Sequence, residues 1–550
     1  MNRRDAVSAL ASLERIGRRH GPGLAARKLA LLRRLAGSRL RTARQVTRLH
    51  ELMEYLDAFP DDRRVHAVVR RMLCVFSGRA DLRRFRQALA GSGIAGTDTP
   101  YRFFWPTAHW ISRCWPGALA IERDDADHAR AILDVLPSLL DAPRAEWLRR
   151  QLKPTLAVFD RLRPRELGDA DFLIGLVAAL PWDEASREAF FDRVDPPFLL
   201  RSGRGTPERT NARFPTSSIH HGGGRSHEPR PDIRKEAMRT PRRVTALRGA
   251  SAAALVRLAR VSMITRERDL AVFQYPNARD AFLVDDGDGL AFAMIGAAVS
   301  RRALLPVTYA GLVLRNGVPM GYIQLDVLGR HASVSFNLFP AFRAGIAAWV
   351  FARLIAATHS VFGCDEFSIE PYQLGEDNEE GIDSGAWWFY HRQGFRPRSP
   401  ATRRLAVQEL ARKAHRAGHR SSGRTLRALA AAPVFLSLDP ARRATLPRTD
   451  EWLTAAVQAL ARFGDADPRR RQAVATRAAA TRLGISSDKA AQCGLERWTG
   501  LVLALTSRGR WSRKELRGLA RIIVSKCAAS EKDFQRLLLR HRRLRTLLGC

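Results

Sequence analysis

The chain is organised around residues 384–397, which read Ser384-Gly-Ala-Trp-Trp-Phe-Tyr-His-Arg-Gln-Gly-Phe-Arg-Pro397. The first part of this stretch is apolar and compatible with a helix, and Tyr390 stands one polar turn before Gly394. A glycine that closes a helix and a proline just beyond it are ordinary stop signals. The pattern therefore predicts one helix over 381–392 and an extended segment that begins at Phe395.

A second stretch, residues 336–348, has the layout of a strand, a tight turn and the start of a helix. It reads Phe336-Asn-Leu-Phe-Pro-Ala-Phe-Arg-Ala-Gly-Ile-Ala-Ala348. The unpaired amide groups and the dipole of a helix N-terminus favour a phosphate group. The turn after Phe339 is therefore a candidate phosphate site.

The residues between and before these stretches alternate between strand and helix patterns. Asn316-Gly317 lies between two apolar runs, which is the strongest short signal of a β-hairpin. Further patterns predict strands over 282–284, 290–295, 308–314, 318–327, 333–339 and 366–369, and helices over 252–261 and 343–359. Residues 244–400 therefore form a predicted mixed domain of strands and helices.

The order Ala386, Tyr390, Gly394-Phe395 resembles the last helix and strand of the GNAT acyltransferase superfamily. Pro340, Phe342 and Arg343 resemble the entry to the coenzyme A loop of that superfamily, which continues as Arg/Gln-x-x-Gly-x-Gly/Ala. Counting from Arg343 puts Ile346 and Ala348 in the glycine places, and counting from Phe342 puts Gly345 and Ala347 there but loses the Arg/Gln, so either register departs from the pattern once. The order of hairpin, strand, loop and helix, strand, helix and Gly-Phe also agrees with the superfamily across roughly a quarter of the chain.

This resemblance implies an acyl-coenzyme A co-substrate, such as acetyl-coenzyme A, and no metal. It implies that Tyr390 lies near the thioester sulfur and acts as a general acid. It also implies a coenzyme A loop composed of Leu338, Phe339, Arg343, Ala344, Gly345, Ile346, Ala347 and Ala348. The implied acceptor is an amine of a small molecule or a peptide.

A general base would take a proton from that amine, and a carboxylate near the ends of the predicted strands is suited to this role. Glu370 follows the strand after the loop and helix, and it is the preferred candidate. Glu376, Asp377 and Asp326 are the alternatives. Each of these carboxylates can equally be a surface partner for one of the many arginines.

The sequence predicts an α+β protein whose central GNAT-like mixed sheet is flanked by all-helical N-terminal and C-terminal regions. The predicted segments are a helical region (1–200), a linker or long surface loop rich in glycine, proline and arginine (201–243), the GNAT-like domain (244–400) and a helical C-terminal region (401–550). The aromatic residues of 101–116 are predicted to form a core between short helices.

The formal net charge is +37, from 92 lysines and arginines against 55 acidic residues. Such a surface attracts nucleic acid or anionic lipid by charge alone. Arginines on solvated helix faces explain the same composition, and no compact basic and aromatic motif accompanies the charge. Nucleic acid is therefore a candidate partner on net charge only.

Metal sites and disulfides are not favoured by the pattern of ligand residues. The six cysteines form no C-x-x-C pair, and their scatter indicates a reducing cytoplasm. His220, His221 and His227 lack a fixed scaffold, and Asp285, Asp286 and Asp288 lack the rest of a calcium loop. The sequence also contains no apolar run long enough for a transmembrane segment.

Taken together, these patterns predict an acyl-coenzyme-A-dependent N-acyltransferase that acts on an amine. The alternative is a GNAT-like scaffold that has lost catalysis, or a nucleic-acid-associated basic protein. Binding of acetyl-coenzyme A distinguishes the two, because only the enzyme requires it.

Overall fold

The computed structural model describes residues 3–123, 126–222, 231–343, 345–416, 418–439, 441, 446–464, 466–486 and 494–550. It is a mixed α/β structure, with 55% helix and 14% strand. The chain forms two compact units. The first contains Met1–Gly223, Val256–Tyr275 and Asn316–Pro319, and the second contains Gly224–Leu255, Pro276–Arg315 and Met320–Cys550.

The first unit consists mainly of helices with a small antiparallel sheet. Its helices before residue 200 are α1 (Arg3–Gly17), α2 (Leu24–Ala36), α3 (Ala43–Ala58), α4 (Arg63–Cys74), α5 (Ala80–Arg84), α6 (Trp105–Cys114), α7 (Ala126–Leu139), α8 (Ala142–Arg149), α9 (Phe159–Leu162), α10 (Asp169–Ala179) and α11 (Glu184–Val194). Its strands are β1 (Thr99–Tyr101), β2 (Leu119–Ile121) and β3 (Phe198–Leu200), in the order β1-β3-β2.

Of the aromatic residues of 101–116, Phe103 and Trp105 lie in the core of this unit as predicted, and Tyr101, Trp110 and Trp115 pack against it, whereas Phe104 is 41% exposed. Trp105 is 1% exposed, and its ring lies 5.4 Å from that of Phe191, measured between centroids. The N-terminal region is nevertheless not all-helical. Phe198 and Leu200 are buried in β3, and a three-residue strand is too short for its alternation to be recognised among longer helical patterns.

The second unit is built around a nine-stranded sheet. Its strands are β4 (Arg243–Ala246), β5 (Pro276–Gly287), β6 (Leu290–Ala297), β7 (Val307–Arg315), β8 (Val318–Leu328), β9 (His331–Leu338), β10 (Glu366–Ile369), β11 (Arg396–Pro397) and β12 (Val434–Ser437). They lie in the order β11-β12-β10-β9-β8-β7-β6-β5-β4. β9 and β10 pair in parallel, whereas β8 with β9 and β10 with β12 pair in antiparallel.

The remaining helices precede, interrupt or follow this sheet along the chain. They are α12 (Ile233–Ala237), α13 (Gly249–Ile264), α14 (Ala271–Gln274), α15 (Ala347–Phe362), α16 (Pro371–Leu374), α17 (Glu379–Ser384), α18 (Ala386–Arg392), α19 (Pro400–His415), α20 (Gly423–Ala430), α21 (Thr449–Ala461), α22 (Pro468–Leu483), α23 (Leu495–Thr506), α24 (Arg513–Lys526), α25 (Lys532–Arg540) and α26 (Arg542–Leu548). Within the described part of the chain, every helix is too short or too polar to span a membrane.

The prediction of one helix over 381–392 is wrong in one respect. The segment forms two helices, α17 and α18, and Gly385 between them has φ +64°. A left-handed residue cannot continue a right-handed helix, and glycine adopts this conformation without a steric cost. Because of this break, the direction of α18 is not fixed by that of α17.

The C-terminal region is also not all-helical, because β12 belongs to the sheet. It lies between β10 and β11, and its Val434 and Leu436 are each 1% exposed. Two alternate residues of a four-residue strand give too little periodicity to distinguish it from the helices around it.

The two faces of the sheet differ at β8 and β9. Val334, Phe336 and Leu338 are buried on one face, and the ring of Phe336 lies 5.3 Å from that of Phe351 in α15. The other face carries polar and partly exposed side chains from both strands. These are Tyr322, Gln324, Asp326, Ser333, Ser335 and Asn337. Successive side chains of a strand point to opposite faces of the sheet, so the apolar set and the polar set lie on different faces.

Candidate functional site

The turn between β9 and α15 is held by a short 3-10 turn over Pro340–Phe342. Gly345 follows with φ +87°, a conformation that favours glycine, and a Cβ at this position would meet no atom within 4 Å. The side chain of Ile346 is 1% exposed and is therefore packed into the protein rather than over the turn. Of the residues predicted for the coenzyme A loop, Ala344 lies outside the described residues.

The first amide groups of α15 lack an acceptor among the residues that the structure describes. The residue before the helix, Ile346, provides no side-chain cap, and the first amide bonded to it is that of Val350. Within the described residues, the amides of Ala347, Ala348 and Trp349 donate to no acceptor. Such amides, together with the helix dipole, form a binding site for an anion.

Arg343 lies beside this N-terminus, and its guanidinium makes three polar contacts. Its Nε donates to the carbonyl oxygen of Leu338 at 2.8 Å, and its Nη2 donates to Oδ1 of Asn337 at 3.3 Å. Its Nη2 also forms an ion pair with Glu380. The guanidinium is half-exposed, so an anion at the helix N-terminus has a positive charge within reach.

β9 and β10 part from each other next to this turn. Within the described ranges, their parallel pairing includes only His331, Ala332 and Ser333 on β9, and β9 continues to Leu338 with no described strand on that side. The edge from Val334 to Leu338 is therefore a row of backbone groups that can pair with an extended ligand. Phe339 at its end is buried, and its amide donates to the carbonyl oxygen of Met320 at 2.8 Å.

Tyr390 lies on α18 and faces the parted strands. Its side chain is 3% exposed and packs between the rings of Phe351 and Phe395, with centroid distances of 5.4 Å and 6.0 Å. Burial raises the pKa of the Tyr390 phenol above its usual value, so the phenol stays protonated at neutral pH. No described residue forms a hydrogen bond with its hydroxyl.

A cleft of about 210 Å³ connects these features. Its walls are the end of β9 with the following turn, the segment that contains α16 and α17, and α18. The lining residues include Leu338, Arg343, Ala347, Glu380 and Tyr390. Of the predicted loop residues, Leu338, Arg343 and Ala347 thus line one cleft with the predicted acid, whereas Phe339, Gly345, Ile346 and Ala348 do not line it.

Glu370 does not line this cleft. It is exposed at the end of β10, and its Oε1 accepts hydrogen bonds from Ser368 Oγ at 3.0 Å and from Ser333 Oγ at 3.3 Å. Ser333 is the last residue of β9 that pairs with β10, so Glu370 bridges the two strands where they begin to part. Glu376 and Asp377 are exposed and also lie outside the cleft lining.

Asp326 lies near Glu370 on the polar face of the sheet. It is the partner of Ser333 across β8 and β9, and Ser333 is bonded to Glu370. Its Oδ1 accepts from Thr308 Oγ1 at 2.6 Å, and its Oδ2 accepts from Gln324 Nε2 at 3.0 Å. Two carboxylates therefore flank one serine on an open sheet face.

The candidate metal ligands that the structure describes do not converge. Among the described residues, no group of three histidine, cysteine, aspartate or glutamate side chains could hold a metal ion. Of the three histidines near residue 220, His227 lies outside the described residues. Asp286 is an ion-pair partner of Arg353, with 2.6 Å between Oδ1 and Nη2.

The sequence reasoning missed two features of the site. One is Glu380, whose ion pair with Arg343 requires a fold to recognise, because 37 residues separate them. The other is the polar sheet face, which had a readable signal in the alternation of Tyr322, Gln324 and Asp326. Comparison of the chain with known proteins finds no matching family model, no similar curated protein and no similar solved structure.

Proposed function

We propose that this chain is an N-acyltransferase that takes its acyl group from acyl-coenzyme A and gives it to an amine, with a GNAT-like domain as the catalytic part. The observation that carries the proposal is the parting of β9 and β10 beside the free amides of α15 and opposite Tyr390.

The donor would bind along the elements that line the cleft. Its pyrophosphate would accept hydrogen bonds from the amides of Ala347, Ala348 and Trp349, with Arg343 as the neighbouring cation. Its amide-bearing arm would pair with the free edge of β9 between Val334 and Leu338. The volume of about 210 Å³ suits the thioester end of the donor rather than the whole molecule.

In the proposed reaction, the amine nitrogen attacks the thioester carbonyl carbon, the new C–N bond forms and the C–S bond breaks. Glu370 accepts the proton that the amine loses, directly or through one water molecule. Tyr390, whose phenol is protonated at neutral pH, gives its proton to the departing sulfur. The acid, Tyr390, thus acts on the departing sulfur, and the base, Glu370, acts on the attacking nitrogen.

The polar sheet face is the proposed acceptor site. Asp326 and Glu370 supply negative charge beside the parted strands, which attracts an ammonium group, and Glu370 is the base that takes its proton. The serine hydroxyls of 333 and 368 add hydrogen-bonding groups. This arrangement favours a small or peptidic amine over a neutral alcohol.

The proposal is tested by titrating the protein with acetyl-coenzyme A and by measuring free thiol release with a panel of amines. We expect binding at submillimolar ligand and a Tyr390→Phe rate that is lower by about 100-fold, because one general acid is removed. Affinity for acetyl-coenzyme A should stay unchanged in this variant.

Tyr372→Phe is the matched control, because Tyr372 is exposed on α16 and lies outside the cleft lining. It should keep the wild-type rate. Absence of binding at millimolar acetyl-coenzyme A would overturn the proposal, and so would an equal loss of rate in the two tyrosine variants.

A further inference from the structure

A groove between the C-terminal helices is lined by charged side chains, most of which are positive and exposed. It has a volume of about 760 Å³, and it lies between α24 on one side and α25 with the start of α26 on the other. The charged and polar residues that line it are Lys514, Glu515, Arg517, Arg521, Arg540, His541, Arg542 and Arg543. Six of these eight carry a permanent positive charge, and one carries a negative charge.

The cations on the α24 wall follow the helical period. Lys514, Arg517 and Arg521 are spaced at i, i+3 and i+7, so they lie on one face of the helix. All three side chains are exposed. At a helical rise of about 1.5 Å per residue, the row is about 10 Å long, which is the rise of about three nucleotides in one strand of a duplex.

These cations are not neutralised by the protein. Among the described residues, Lys514, Arg521, Arg540 and Arg542 form no ion pair and no side-chain hydrogen bond. Glu515, the one acid in the groove, lies 3.6 Å from Nη1 of Arg543 and caps the first turn of α24.

The other acidic residues near the groove do not neutralise its excess of positive charge. Residues 508–550 contain thirteen lysines and arginines but only three acidic residues. Besides Glu515, Glu531 is fully buried against Lys526, and Asp533 pairs with Arg536. Free positive charge therefore remains concentrated along the groove.

The floor of the groove is held in a fixed geometry. His541 Nδ1 accepts the amide of Leu544 at 3.1 Å, and its Nε2 donates to the carbonyl oxygen of Glu515 at 3.0 Å. A Cβ at Gly518 would lie 2.8 Å from Cδ2 of His541, so only glycine allows α24 to approach this ring. The two basic walls are therefore held at a constant separation.

The shape of the site distinguishes among anionic partners. A lipid surface is flat and is bound by helices with an exposed apolar face, whereas here Ile522 is buried at the floor and the cations line a concave groove. A single free phosphate would contact only part of a row about 10 Å long. A polymer of regularly spaced phosphates satisfies the whole row.

We propose that this groove binds the phosphate backbone of a nucleic acid duplex without reading its sequence. The net positive charge of the chain would thus attract a polyanion at one place, the groove between α24 and Arg540–Arg542. Arginine and lysine side chains contact the phosphates, and no base-edge contact is required. This binding is independent of acyl transfer.

The test uses the full-length protein and two labelled DNA duplexes of about 20 base pairs with unrelated sequences. Fluorescence anisotropy is measured over a range of NaCl concentrations for the wild type and for the triple variant Lys514→Gln/Arg517→Gln/Arg521→Gln. The control is Arg403→Gln/Arg404→Gln/Arg424→Gln, which removes three exposed arginines from α19 and α20 of the same unit.

We expect the wild type to bind both duplexes equally and with strong salt dependence. The groove variant should lower the slope of log Kd against log salt by about 2 to 3, because each lost phosphate contact removes nearly one unit. Its affinity should fall by about tenfold or more, whereas the control should lose about threefold or less.

A second variant, Arg540→Gln/Arg542→Gln, removes cations from the opposite wall, and it should lower the slope by about 1 to 2. Thermal unfolding of each variant verifies that it is folded. Equal losses in the groove and control variants would overturn the proposal, since the binding would then be diffuse. Binding to phosphatidylserine vesicles but not to DNA would overturn it as well.

Discussion

At the scale of single residues, the ion pair between Glu380 and Arg343 controls the charge available to a ligand in the cleft. A phosphate that enters has to compete with the carboxylate for the guanidinium. We expect Glu380→Gln to raise the affinity for acetyl-coenzyme A by about fivefold, because a half-exposed ion pair contributes up to about 1 kcal/mol. Isothermal titration calorimetry measures this change.

The matched control for this prediction is Glu379→Gln. Glu379 is the neighbouring residue and pairs with Arg427 at 2.7 Å, but it does not line the cleft. It should leave the affinity unchanged. An equal gain in both variants would mean that net charge, rather than release of Arg343, determines the affinity.

His331 makes the stability of the second unit dependent on pH. It is 8% exposed, its Nε2 has no hydrogen-bond partner among the described residues, and burial together with Arg398 lowers its pKa to about 4. The unfolded chain has the usual pKa of about 6.5 and therefore binds more protons between these two values. The stabilising contribution is complete above the unfolded value and is lost as the pH falls towards 4.

We therefore expect the melting temperature of the wild type to fall between about pH 6.5 and pH 4, and that of His331→Leu to fall less. The difference corresponds to an unfolding free energy on the order of 3 kcal/mol at the acidic end. His415→Leu, at an exposed position, should follow the wild type. Parallel melting curves for wild type and His331→Leu would contradict this explanation.

At the scale of elements, the N-terminus of α15 supplies the proposed phosphate site through its backbone. Ala347 is the first residue of this helix, and a proline there removes one amide donor. We expect Ala347→Pro to weaken acetyl-coenzyme A binding by about tenfold, which is the usual worth of a hydrogen bond to a charged group. Calorimetric titration gives the comparison.

Ala347→Val controls for bulk, because valine fills a similar volume of the cleft and keeps the amide. It should bind more tightly than the proline variant. If valine and proline weaken binding equally, steric exclusion explains the loss and the amide has no part in it.

The elements differ in how far the sequence could predict them. The β7–β8 hairpin is confirmed, because Asn316 and Gly317 have φ +50° and +79° and few other residue pairs adopt such a turn. The strand, turn and helix around the candidate site also lie where the sequence predicts them. β12 and the break at Gly385 were missed because one is very short and the other needs a backbone angle that composition does not reveal.

The residues of the candidate site also differ in how far the sequence could predict them. Tyr390 and the loop were proposed from a resemblance that rests on local signals, a helix end and a turn, and Tyr390 lines one cleft with part of that loop. The pairing of Arg343 with Glu380, and the position of Glu370 outside the cleft, depend on how strands and helices meet in space. Such contacts between distant residues leave no periodic pattern in the sequence.

At the scale of the whole molecule, a buried charge cluster joins the C-terminal helices to the beginning of the sheet within the second unit. Glu531 is 0% exposed, its Oε1 lies 2.7 Å from Nζ of Lys526, and its Oε2 lies 3.7 Å from Nε of Arg302. Its amide donates to Oδ2 of Asp280 in β5 at 3.0 Å. The cluster thus joins residues that are about half of the chain apart.

We expect Glu531→Gln to destabilise the second unit by about 3 to 5 kcal/mol, because it leaves two buried cations without their partner. Chemical denaturation followed by circular dichroism measures the loss. Asp533→Asn removes an exposed acid paired with Arg536 nearby, and it should cost less than about 1 kcal/mol. Similar losses in the two variants would contradict the role of burial.

The two carboxylates beside Ser333 have a further consequence for a protein of such high positive charge. An approaching amine is repelled by most of the surface and attracted only at short range by Asp326 and Glu370. Added salt screens the distant repulsion more than the close attraction. Raising the ionic strength should therefore help a cationic acceptor to reach the proposed acceptor site, and it should release a polyanion from the basic groove.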